Sequence, residues 1–164
     1  MHAQASPCAL PCPPDTLRAM ISIVFTRSPG LVSWIVRKVT ASPASHVGIA
    51  LDWQGHAIVL HAYGRGGVQV DGRGIFLAKR KVVAEYVLPE GVPLDPILGV
   101  LGRPYDWRGL ISFVLPFMPG ARQAFVCSEL VARLACFDGV RRTDARTHPG
   151  HLLAECRRLE LARA

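Results

Sequence analysis

Long hydrophobic runs are missing from this sequence. A membrane-spanning helix needs about 18 or more consecutive apolar residues. The longest stretch here, Leu110 to Met118, is short and broken by Pro116. Lysine is scarce, with three against sixteen arginines, and acids are outnumbered, 12 against 19 basic residues, for a net charge of +7. Charged residues make up only 19% of the chain and hydrophobic ones 50%, which excludes a disordered, low-complexity polypeptide. No nucleic-acid-binding motif is present, so the basic charge implies no specific nucleic-acid partner. There is no internal repeat. No basic segment followed by an apolar one opens the chain, so it does not read as a secretory signal. Cytoplasmic synthesis is the default expectation, with export by a dedicated machine left open. The five cysteines are an odd number, unlike the dense, even set of a small disulfide scaffold. At least one thiol is therefore free or paired between chains.

What is present suits one domain. At 164 residues the chain is long enough for one real core and short for two. Residues 1–19 hold Pro7, Pro11, Pro13 and Pro14 and read as a disordered extension, leaving residues 20–164 as the folded domain. Ile21 to Phe25 reads as a buried strand. A turn at Ser28-Pro29-Gly30 leads into a helix that Ser28 or Pro29 is suited to open. His46 to Leu51 and Ala57 to Ala62 read as two strands joined by Asp52-Trp53-Gln54-Gly55, with His56 in the turn. Val68 to Val70 and Val82 to Leu88 add further strands. Helices are expected over Leu94 to Leu101, Asp106 to Leu115, Cys127 to Phe137 and from Pro149 onward, with Gly139 as a stop signal. Strands come first and helices later, which predicts an α+β fold.

The cysteines separate by context. Cys8 and Cys12 lie in the extension. Cys136 and Cys156 fall on helices as small buried hydrophobes. Cys127 stands between an extended segment, Gln123 to Val126, and a helical one, so it meets the unpaired N–H groups and positive dipole end of a helix. That environment favours a thiolate, the nucleophilic form. A thiol nucleophile needs a histidine base held by a third polar group. An even-length loop at Asp52 to Gly55 sets His46 directly opposite His61, with both imidazoles on one face of the sheet, among the small residues Gly48, Ala50, Ala57 and Val59. His2, His148 and His151 fall in terminal or loop-like segments. A metal site built from His46, His61 and a cysteine lacks a close-spaced ligand pair.

Four segments in this order, Ser45 to Leu51, Val59 to Ala62, Gly102 to Trp107 and Phe125 to Val131, resemble the circularly permuted branch of the NlpC-like, papain-fold cysteine hydrolases. This is the YiiX-like group, related to the lecithin retinol acyltransferases. The resemblance spans about Met20 to Phe137. It implies an antiparallel sheet or half-barrel against helices, Cys127 as nucleophile, His46 as base and His61 as the orienting group. It places Tyr105 beside the site, with Ser128 and the Cys127 backbone N–H at the oxyanion position. It implies no metal and no organic cofactor. The activity implied is cleavage or transfer at an amide or ester, through an acyl-enzyme, on a peptide, peptidoglycan or lipid substrate. The apolar Leu110 to Met118 is then a candidate acyl-chain groove or peripheral membrane contact. The competing expectation is a catalytically silent papain-like domain used for binding or assembly, such as a phage or secretion-system component.

Overall fold

A computed structural model describes residues 20–88, 99–112, 125–134 and 147–159. Five strands form one antiparallel sheet: β1 (Ile21–Arg27), β2 (His46–Trp53), β3 (His56–Tyr63), β4 (Gly67–Gly72) and β5 (Lys81–Val87), in the order β4-β3-β2-β1-β5. The helices are α1 (Leu31–Val39), α2 (Arg73–Leu77), α3 (Trp107–Ser112), α4 (Cys127–Leu134) and α5 (Pro149–Arg158). The chain is therefore α+β, as its order of elements predicts. The 1–19 extension, most of the Leu94 to Leu101 segment, the end of the Leu110 to Met118 stretch, Cys8, Cys12, Cys136 and Gly139 lie outside the described residues.

β1 sits between β2 and β5, and both its faces are covered. This is why Ile23, Val24 and Phe25 form a continuous apolar run rather than an alternating one. Side chains alternate across the sheet. One face carries Ile23, Phe25, Val47, Ile49 and Leu60, which pack with Leu130, Val131 and Leu134 of α4 and Leu152, Leu153 and Cys156 of α5. The other face carries Val24, Ala50 and Val59 under Phe76 of α2. That short helix has no counterpart in the sequence reading, because five residues are too few to show a helical period.

Two local expectations are corrected. α1 opens at Leu31 on Gly30, not on Ser28 or Pro29. Gly30 takes φ +121°, a conformation closed to residues with a side chain, so the chain turns there. The hairpin between β2 and β3 is also tighter than expected. Gln54 and Gly55 both have positive φ, +52° and +79°, as a two-residue type I′ turn requires. The strands therefore reach Trp53 and His56, which pair directly, and His56 belongs to β3 rather than to the turn. The Asp52 carboxylate accepts a hydrogen bond from Gly55 N–H at 2.9 Å and holds the turn.

Candidate active site

The hairpin register decides how the histidines meet. Ile49 pairs with Leu60 and Ala50 with Val59, two residues out of step with the register that would set His46 opposite His61. Continued along the strands, the observed register puts Gly48 across from His61. A shift of two keeps every side chain on its face, whereas a shift of one would invert them. The shared face is therefore retained and the direct opposition is not. The imidazoles meet diagonally, with His46 Nε2 3.2 Å from His61 Nδ1 and their ring planes nearly perpendicular. Glycine at 48 makes this approach feasible: a Cβ there would lie 2.8 Å from Val59 Cγ1 and 3.3 Å from His61 Cβ.

The second nitrogen of His61 continues the chain. His61 Nε2 stands 2.9 Å from Asp71 Oδ2, and the same oxygen accepts from Gln69 Nε2 at 3.1 Å. Asp71 is absent from the sequence-derived site. The signal for it was available, because Gln69 and Asp71 alternate along β4 on the face of His61, which pairs with Gln69. The order of protons follows from the acceptors. A carboxylate only accepts, so His61 Nε2 carries the hydrogen and neutral His61 Nδ1 accepts. His46 Nε2 must then donate, which leaves His46 Nδ1 as a bare lone pair.

Both imidazoles are held neutral. Burial pushes the His46 pKa well below its usual value, and the neighbouring His61 and Arg80 push the same way. Burial also lowers His61, which has no exposed surface, although the hydrogen bond to Asp71 opposes the shift. The Phe76 ring closes over the pair, 4.9 Å from the His61 ring and 5.8 Å from that of His46. Above Phe76 lies the Arg80 guanidinium, 4.6 Å from its ring centre and 5.5 Å from that of Tyr63. One Arg80 nitrogen, Nη1, donates to the Phe76 carbonyl at 2.6 Å. Thr26, paired with His46 across β1 and β2, is fully buried, and its hydroxyl has no hydrogen-bond partner among the described residues.

Cys127 is the first residue of α4, as expected. The body of α4 packs on the face opposite the histidines, yet its first residue arrives where the sheet opens. The β2–β3 ladder ends at Ile49 and Leu60, while β2 begins at His46 and β3 runs on to Tyr63. In that gap the backbone N–H groups of Val47 and Ser128 point at the Cys127 sulfur. Those donors and the charge of Arg80 favour a thiolate. Burial outweighs them, and the thiol pKa is pushed up to about 11. Cys127 is hydrogen-bonded to these N–H groups rather than to His46, the residue immediately before Val47. In the resting site, thiol and imidazole are both neutral.

The segment before α3 anchors the entrance to α4. Phe125 N–H donates to the Pro104 carbonyl and Asp106 N–H to the Phe125 carbonyl, both at 3.1 Å, which forms a parallel bridge between Tyr105 and Phe125. Buried Asp106 caps α3 by accepting from Gly109 N–H at 2.8 Å. A Cβ on Gly109 would fall 2.6 Å from that carboxylate. Tyr105 is half-buried beside the site. Burial, and next the charge of Cys127, hold its phenol firmly protonated, so it is a neutral hydroxyl that can donate a hydrogen bond. Ser128 is fully buried and donates its hydroxyl to the Thr147 carbonyl at 2.5 Å, tying α4 to the residues before α5. What Ser128 offers the site is therefore its backbone N–H. Cys156 faces the core as expected, and burial pushes its thiol pKa up to about 12. Among the described residues, no group of three His, Cys, Asp or Glu side chains is arranged to hold a metal ion. No protein-family model and no curated protein matches the chain.

Proposed function

We propose that the protein is a cysteine-dependent hydrolase or acyltransferase of the permuted papain-like, NlpC-related type. It would act on an amide or ester through an acyl-enzyme on Cys127. The observation that carries this reading is the hydrogen-bonded chain Asp71–His61–His46, with Cys127, the first residue of a helix, bonded to the backbone N–H of Val47, the residue after His46. A nucleophile, a base and a third group that orients the base are the parts covalent catalysis requires.

In this reading Asp71 fixes the His61 tautomer, and His61 fixes that of His46. His46 Nδ1 then takes the Cys127 proton as the sulfur attacks the carbonyl carbon. The neutral resting pair makes proton transfer part of the attack, in place of a standing thiolate–imidazolium pair. The backbone N–H groups of Cys127 and Ser128, with the Tyr105 hydroxyl, are the candidate donors to the developing oxyanion. His46, then protonated, returns the proton to the leaving group. Water or an acceptor releases the acyl group with His46 again as base. Arg80 offers a guanidinium to an anionic part of the substrate, which suits a peptide carboxylate or a lipid head group.

The high thiol pKa and the lack of a hydrogen bond from Cys127 to His46 favour a second reading, a catalytically silent domain of the same type. Alkylation with iodoacetamide separates the two. In the active reading Cys127 reacts ahead of Cys136 and Cys156, and His46→Ala slows it by about 100-fold, the lower part of the usual range for a positioned base. Equal labelling of the three cysteines, unchanged by His46→Ala, would remove the nucleophile. Peptide, ester and phospholipid substrates then distinguish the branches, with Cys127→Ser as the inactive control.

A further inference from the structure

A surface helix of a folded domain normally turns its apolar stripe to the core. α1 does the reverse. Leu31, Val32, Trp34 and Val39 are exposed on its outer side, with Ile35 half-buried among them. Leu31 is 71% exposed, Val32 58%, Trp34 51% and Val39 46%. The inward side is thin. Val36 is buried and Ile35 half-buried, and polar contacts complete the attachment: Ser33 Oγ lies 2.7 Å from Ser45 Oγ and accepts from Ser28 N–H at 3.3 Å. Polar tethers hold this helix in place while its apolar arc faces outward.

The stretch of chain that contains α1 carries charge of one sign. From Thr16 to Leu51 the sequence contains no acidic residue. Arg37 and Lys38 lie in the last turn of α1. Arg27 pairs with Lys81 across β1 and β5 at the sheet end from which α1 departs, and Lys79 lies two residues before Lys81. Arg27, Lys38, Lys79 and Lys81 are all exposed. His46 opens β2 at this same end, paired with Thr26.

We propose that α1 docks on an anionic lipid bilayer surface, with Leu31, Trp34 and Val39 entering the head-group boundary and the basic rim resting on acidic lipids. A convex apolar arc with a tryptophan and a cationic border is the chemistry of an interfacial helix. Each Lys or Arg near such a surface strengthens binding about fivefold. The docked chain turns the His46 end of the sheet toward the lipid. The proposal needs no catalysis, so it stands or falls separately from the reading of Cys127.

Flotation of the full chain with vesicles is the test, using phosphatidylcholine alone and phosphatidylcholine with phosphatidylglycerol in equal parts. The wild type is expected to float with the acidic vesicles at low salt, to be released as salt rises, and to ignore pure phosphatidylcholine. Leu31→Ser with Trp34→Ser, and separately Lys38→Glu, should each weaken binding by about tenfold or more. Trp53→Ser, at the far end of β2, should leave it unchanged, and circular dichroism confirms that the variants are folded. Absence of flotation overturns the proposal, as does flotation that the α1 variants do not alter or that is equal on both vesicles. A wild-type dimer that the Leu31 and Trp34 changes dissolve, without vesicle binding, assigns the face to a second copy of the chain and equally overturns it.

Discussion

In the proposed mechanism Asp71 would act on the sulfur only through two rings. Its carboxylate dictates that His61 Nε2 holds a hydrogen, and that choice propagates to leave His46 Nδ1 basic. Asp71→Asn keeps the size of the side chain and allows its amide to donate, which permits the opposite tautomer of both histidines. We expect the alkylation rate of Cys127 to fall by about tenfold or more in this variant, with the fold unchanged by circular dichroism. The pH dependence carries a separate signature. With the thiol pushed up to about 11, the thiolate fraction grows through the alkaline range. The alkylation rate should therefore keep climbing above neutral pH, without an acidic plateau. A rate already constant between pH 5 and 7, where a thiolate–imidazolium pair would persist (about the range of unperturbed histidine), would contradict the neutral resting pair.

At the scale of the element, α5 shows how a local contact becomes a pH response. His148 is its N-cap, and His148 Nδ1 accepts from His151 N–H at 3.3 Å, ahead of Pro149 at the first helical position. Burial, with the charge of His151 next, lowers the His148 pKa to about 4. Since the folded value lies below the unfolded value of about 6.5, the unfolded chain binds the extra proton first. The stabilising contribution is thus complete above about pH 6.5 and is lost as pH falls from there toward about 4. The melting temperature should drop between pH 7 and pH 5. His148→Asn, whose side-chain oxygen can cap without titrating, should drop less over the same interval when followed by circular dichroism. α1 makes the complementary point. Leu31, Trp34, Ile35 and Lys38 fall at helical spacing in the sequence, but such spacing identifies a helix and not the side on which the body of the protein lies.

At the scale of the whole molecule, α4 joins the sheet to α5. Leu130 is fully buried in the cluster that contains Ile49, Leu60 and Leu152, so one side chain touches the packing of three layers. Leu130→Ala should cost about 2–5 kcal/mol by lost transfer and an unfilled cavity. In urea the fluorescence and far-UV transitions should move together to lower midpoints, because sheet and helices share this core. Separate transitions would show that the sheet is stable without α4.

The sequence alone determined the α+β class, the strands, the helix that starts at Cys127 and the common face of His46 and His61. Each rests on local rules: period-two alternation, turn chemistry, and the preference of helix ends for particular residues. Even a register displaced by two residues preserves that common face. Tertiary structure decided the rest, because it depends on which chain segments lie side by side. The diagonal meeting of the two imidazoles required the tight turn at Gln54-Gly55 and the space at Gly48. Asp71 joined the site because β4 added beside β3. Cys127 met Val47 N–H because the β2–β3 ladder ends early and admits the end of a helix. The charge state of that thiol was also decided at this level. A helix N-terminus favours the thiolate wherever it occurs, but how much water the fold removes determines whether burial prevails.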